Sequence, residues 1–113
     1  MIPSEARLLR IYVGANERLL GTRLYETIVT TARAMDLAGA SVFPVELSYG
    51  GRRQIHDELS DYGFTDLPVV VEIVEAPERI DALLAKLGST IAKAMVTVEP
   101  VKVIRYSHEE RDS

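Results

Sequence analysis

Cysteine is absent from the 113 residues, and histidine occurs only twice. The first absence excludes disulfide frameworks, thiol redox chemistry and cysteine nucleophiles, and it leaves the compartment open on redox grounds. The second leaves little for a metal site, since neither His56 nor His108 has a second ligand at a recognisable spacing. Cations are also in the minority: 13 Lys+Arg against 17 Asp+Glu give a net charge of −4. An acidic chain must concentrate its cations locally to neutralise phosphates, so duplex DNA is not an expected partner. The aromatics, Tyr12, Tyr25 and Phe43 among them, do not interleave with a basic stripe, which argues against an RNA-binding sheet. Long apolar runs are missing too. No stretch approaches the ~18 residues of a membrane span, and the start, MIPSEARLLRIYV, lacks an apolar signal region. A cytoplasmic protein without a nucleic-acid partner is expected. What the chain does have is an apolar fraction of 47%, enough for a modest core in a single domain over residues 1–113, with a charged tail at 107–113 expected to fray.

Local patterns suggest six elements. Leu8–Val13 is β-branched and aromatic and stops at Gly14, which reads as a strand. Residues 15–21 read as a polar connection. Thr22 is placed to cap a helix carrying Leu24, Ile28, Ala32 and Met35, with Gly39 as its stop. Ala40–Leu47 reads as a second strand, which Pro44 confines to an edge because it lacks one ladder donor. A long polar connection, Ser48–Asp66, follows. Leu67–Glu75 is the strongest strand signal, and Pro77 then suits a first helical position. Ile80, Leu83, Leu84, Leu87, Ile91 and Met95 keep helical spacing through Gly88, so that helix is expected to continue to about Ala94. Val96–Tyr106 closes the chain as a second edge strand, interrupted by Pro100.

The order βαββαβ fits an α+β ferredoxin-like sandwich with an antiparallel sheet in the order 4-1-3-2. That order places the strands containing Pro44 and Pro100 on the two edges, although the prolines played no part in choosing it. Period-two reading sends Leu9, Ile11, Val13, Val69, Val71 and Ile73 to one face and Leu8, Arg10, Tyr12, Val70, Glu72 and Val74 to the other. Two helices cover one face only. The second set is more apolar than a solvated face needs to be, so it is expected to form an oligomer interface in which Arg10 and Glu72 compensate each other.

Six blocks in order carry a resemblance: LLRIYVG at 8–14, G-x-x-LYE at 21–26, A-x-x-M-x-LAGASV at 32–42, SYGGRRQIH at 48–56, DLPVVVEIVE at 66–75 and VTVEPVKVIRY at 96–106. Together they cover almost the whole chain, which resembles the DUF190 family of PII-like proteins, relatives of the nitrogen-regulatory PII signal transducers. The resemblance implies a homotrimer with inward-facing sheets, clefts between subunits and a loop after the second strand that reads or presents a signal. It also implies a possible membrane partner, because some members are joined to, or encoded beside, fluoride channels of the CrcB type.

The best candidate binding segment is Tyr49, Gly50, Gly51, Arg52, Arg53 and His56. Paired glycines let backbone N–H groups converge on an anion, and the arginines and histidine add charge-assisted contacts. A solvated turn is the competing reading. Ser48 stands where the relatives have glycine. Aligning the last strand with PII proteins sets Lys102 and Arg105 at positions that contact nucleotide phosphates there. A charged, aggregation-resistant edge explains the same two residues. PII proteins carry a glycine-rich phosphate loop before that strand, where this chain has Ile91-Ala92-Lys93-Ala94-Met95. The expected ligand is therefore a small anion, with AMP, ADP and a cyclic nucleotide as the adenine-nucleotide forms, rather than ATP held in the PII manner. No catalytic constellation stands out. Asp57, Glu58 and Asp61 read as a solvated face, and neither a nucleophile elbow nor a P-loop is present. A non-enzymatic regulatory protein is the leading expectation. The alternatives are a small enzyme with His56 as general base and a structural oligomerisation module attached to a channel.

Overall fold

The structure is a computed structural model and describes residues 2–45 and 67–105. Strand β1, Glu5–Gly14, is followed by two short strands, β2 (Arg18–Leu19) and β3 (Thr22–Arg23), and by helix α1, Leu24–Ala34. Then come β4 (Ser41–Pro44), β5 (Pro68–Glu75), helix α2 (Pro77–Leu87), a single 3-10 turn at Gly88–Ile91 and β6 (Met95–Lys102). The four long strands form one sheet in the order β4-β5-β1-β6, and every neighbouring pair is antiparallel. This α+β arrangement has the expected 4-1-3-2 order. Pro44 ends one edge strand and Pro100 lies in the other, where a missing N–H costs no central ladder bond.

Both helices lie on one side of the sheet. Leu24, Ile28 and Ala32 of α1 and Ile80, Leu83 and Leu87 of α2 are buried against Leu9, Ile11, Val13, Val71 and Ile73. Leu9, Ile11, Ile28, Val71, Ile73, Ile80 and Leu83 are essentially inaccessible to solvent, each worth roughly 1.5–3 kcal/mol of transfer free energy. The period-two assignment of the inner face therefore holds, with Val69 only partly buried near the end of its strand.

Several boundaries differ from expectation. Thr22 does not cap α1. It sits in β3, the N-cap position falls on Arg23, and the Leu24 N–H donates to the Glu17 carbonyl at 2.7 Å. Nor does Gly39 stop the helix. Asp36 adopts a left-handed φ of 62°, the Leu37 N–H reaches the Ala32 carbonyl and the Asp36 N–H reaches that of Arg33. This is a Schellman ending with aspartate in the position that glycine usually takes. The second helix stops at Leu87 rather than near Ala94, because Gly88 turns to φ 48° and the chain tightens into the 3-10 turn that buries Ile91. Residues 15–21 are not a plain connection. Leu20 and Gly21, at φ 52° and 85°, are the two-residue loop of a hairpin pairing Arg18 with Arg23 and Leu19 with Thr22. Among the described residues no helix is long and apolar enough to cross a membrane.

Candidate functional site

The uncovered face of the sheet is built by register. Arg10 of β1 stands directly opposite Glu72 of β5, and Leu8 and Tyr12 stand opposite Val74 and Val70. The Arg10 Nε donates to Glu72 Oε2 at 3.0 Å, so the expected compensation is present. A second carboxylate joins it: Arg10 Nη1 donates to Glu99 Oε1 of β6 at 2.9 Å. These two hydrogen bonds, Glu72 first and Glu99 second, push the guanidinium above its ordinary value. The cation therefore persists wherever the fold survives. Its contribution to stability is complete below the ordinary arginine range and is lost only in alkali beyond the raised value.

Around this triad the edge strands add Phe43 and Met95, both exposed, and Val101. The sequence reading did not place these three on the face, because only the central strands were divided by parity. Extending the period-two count to the edges would have found them. Val70 is buried, unlike its neighbours on this face, because Tyr12 and Phe43 oppose it from either side.

At one end of the same face lies a cleft of about 450 Å³. Its walls include the backbone turn Ala38–Ser41, the apolar residues Ile2, Val74 and Val103, and the charged residues Glu72 and Arg105. Two residues absent from the sequence reading fix that turn. Glu75 is 3% exposed, and its carboxylate accepts the Ala38 N–H at 2.9 Å and the Ala76 N–H at 3.0 Å. Arg79, one helical turn on, donates to the carbonyls of Met35 and Asp36. Two signals were available in the sequence: Glu75 has the parity of Val71 and Ile73, and Glu75 with Arg79 is an i,i+4 pair of opposite charge.

The candidate residues are only partly brought together. Arg105 lines the cleft, whereas Lys102 pairs with Glu5 at 3.9 Å in the open, a contact of little energetic weight. Tyr49, Gly50, Gly51, Arg52, Arg53 and His56 lie outside the described residues, as does the tail at 107–113. The stems of the segment between 45 and 67 are stitched where the Val45 N–H meets the Pro68 carbonyl and the Ala15 N–H meets that of Leu67. Strand β1 faces Lys102 at Glu5 and Pro68 at Gly14, so stems and basic strand end are anchored at opposite ends of the sheet, roughly 30 Å apart at strand rise. Among the described residues no group of three His, Cys, Asp or Glu is placed to hold a metal ion.

Comparison with known proteins finds relatives that match most of the chain. The chain is 32% identical over 98 residues to a UPF0166 protein of Aquifex aeolicus, covering 87% of this chain and 92% of the relative. A second UPF0166 protein of that organism is 30% identical over 96 residues, with 85% and 94% covered. One from Methanocaldococcus jannaschii is 28% identical over 87 residues, with 77% and 80% covered. The family model described as "Uncharacterized ACR" matches residues 6–103, and by that match this chain belongs to the DUF190 family.

Proposed function

We propose that this chain is the subunit of a homotrimeric, PII-like regulatory protein of ferredoxin-like fold. It binds a small anionic ligand, an adenine nucleotide in the leading case, in clefts between subunits and acts on a protein target rather than turning over a substrate. The observation that carries the reading is the placement of the cleft on the uncovered face. Glu72 and Val74 belong both to that face and to the cleft wall. A second copy packed over Leu8, Tyr12 and Val74 would bury apolar surface and at the same time roof the cleft. Arg105 supplies the charge for an anion, the 38–41 backbone supplies donors and acceptors, and Ile2, Val74 and Val103 supply apolar walls, in a volume suited to a small organic ligand. Anchoring the 46–66 stems far from Arg105 also favours a site completed between copies. The target, a membrane channel in the case the resemblance suggests, would be met through residues 48–66.

Sedimentation velocity and isothermal titration with AMP, ADP, ATP and cyclic AMP test this reading together. A trimer that releases heat with at least one nucleotide, and whose affinity falls about tenfold or more in Arg105→Gln, is expected. A monomer at micromolar concentration overturns the assembly. A trimer that gives no heat with any nucleotide overturns the ligand and leaves the module without one.

A further inference from the structure

The geometry points to a second binding site, for a phosphate-type oxyanion, at the β2–β3 hairpin, held by Arg18 and Arg23 and independent of the cleft at Arg105. Arg18 and Arg23 are register partners, so their side chains leave the same side of the ribbon within about 5 Å of each other at Cβ. Like charges so placed repel, and no ion pair among the described residues involves either arginine; the cations that do pair are Arg10, Arg79 and Lys102. The carboxylates closest in sequence form no ion pair with them: Glu17 accepts the Gly14 N–H at 3.2 Å, and Glu26 lies in the first turn of α1.

The Arg23 Nε is the telling atom. It is buried and donates to nothing, the only buried side-chain polar atom among the described residues of which this is true. Unmet buried donors are costly and rare, and they mark places where an acceptor is expected. Arg23 is also the N-cap residue of the 11-residue helix α1, which has no side-chain cap; the Leu24 N–H is taken by the Glu17 carbonyl, and the N–H groups of Tyr25 and Glu26 follow at the positive end of the helix dipole. Arg18 spends one N–H on the Gly21 carbonyl at 2.8 Å, which ties its fork to the turn and leaves its other donors free. The turn that holds the two arginines in apposition is itself strained, with leucine at φ 52°. A tetrahedral oxyanion has the acceptors for the outer N–H groups of both arginines and for the helix start, and a turn of the Arg23 side chain toward it would give the Nε an acceptor as well.

The site is tested by titrating the ¹⁵N-labelled chain with inorganic phosphate while following the Arg23 Nε–H and the Tyr25 and Glu26 amides by NMR. A saturable shift with a dissociation constant on the order of 1 mM is expected. It should vanish in Arg23→Gln, weaken in Arg18→Gln and remain in Lys86→Gln, a substitution on the far helix. Arg18 is exposed and its side chain hydrogen-bonds to the Gly21 carbonyl of its own turn, so its variant stays informative if Arg23→Gln fails to fold. A parallel sedimentation with phosphatidylcholine vesicles, with and without phosphatidic acid, separates the sources of phosphate. Arginine-dependent binding to the acidic vesicles alone assigns a lipid headgroup, which the 96% exposed Leu20 at the tip would suit. Shifts with phosphate but no vesicle binding assign a soluble ligand. Absence of both, or shifts that persist without the arginines, overturns the site.

Discussion

A carboxylate at 3% exposure is tolerated only when its oxygens are occupied, and Glu75 occupies both with backbone N–H groups, one of them 37 residues away in sequence. Glutamine keeps the shape but offers a single acceptor, so Glu75→Gln turns an NH₂ group toward one of those donors. The expected cost is about 1–3 kcal/mol, read as a lower denaturation midpoint at unchanged slope. An unchanged midpoint would mean that the Ala38 turn does not depend on this contact. Residues of this kind were the hardest to foresee. Arg10 and Glu72 were legible because both share a parity on strands expected to be neighbours, and opposite charges there announce each other. Glu75 has the parity of the core, yet its donors come from a turn whose position depends on how α1 ends, and that ending was misread.

Elements with a period were recovered, and those ruled by a single backbone angle were not. Helix α1 repeats its apolar residues at 24, 28 and 32, and α2 at 80, 83 and 87; a helix turns both sets to one side, and the odd step from 80 to 83 is one that a strand would not. Their endings rest on Asp36 and Gly88, two positive-φ residues. Aspartate visits that region less often than glycine, so Gly39 drew the stop to itself. The β2–β3 hairpin escaped notice for the same reason, since two-residue strands carry no period and its turn opens with leucine in place of the usual asparagine or aspartate. The mismatch is measurable. Leu20 is almost wholly exposed, so Leu20→Asn loses no burial and relieves left-handed strain of roughly 1 kcal/mol. Thermal unfolding should move up by about 4 °C. A fall in melting temperature would show that the leucine contributes packing within the folded chain.

At the scale of the whole molecule, topology was the most legible property, because edge and centre positions were written twice, in strand composition and in the prolines. Residues 46–66 hold the strongest sequence candidates and lie outside the described residues, so the site rests on Arg105 and on the backbone of residues 38–41, to which the sequence attaches no binding chemistry. Assembly through the uncovered face has a direct check. Leu8→Lys places a cation at its centre, opposite Val74 and Glu99, without touching the helix-side core. The variant should sediment as a folded smaller species with unchanged circular dichroism, and persistence of the wild-type mass would move the interface elsewhere. The triad on this face has a further consequence. It sets one guanidinium against two carboxylates, and Arg105 on the cleft wall supplies a second cation, so copies stacked through this face as proposed would meet with balanced charge and an apolar contact. At 0.1 M ionic strength the screening length is already about 10 Å. Association should therefore change little as salt rises from low to moderate concentration, unlike an interface held by ion pairs across it, and a slope of affinity against salt would report the sign of any charge left over.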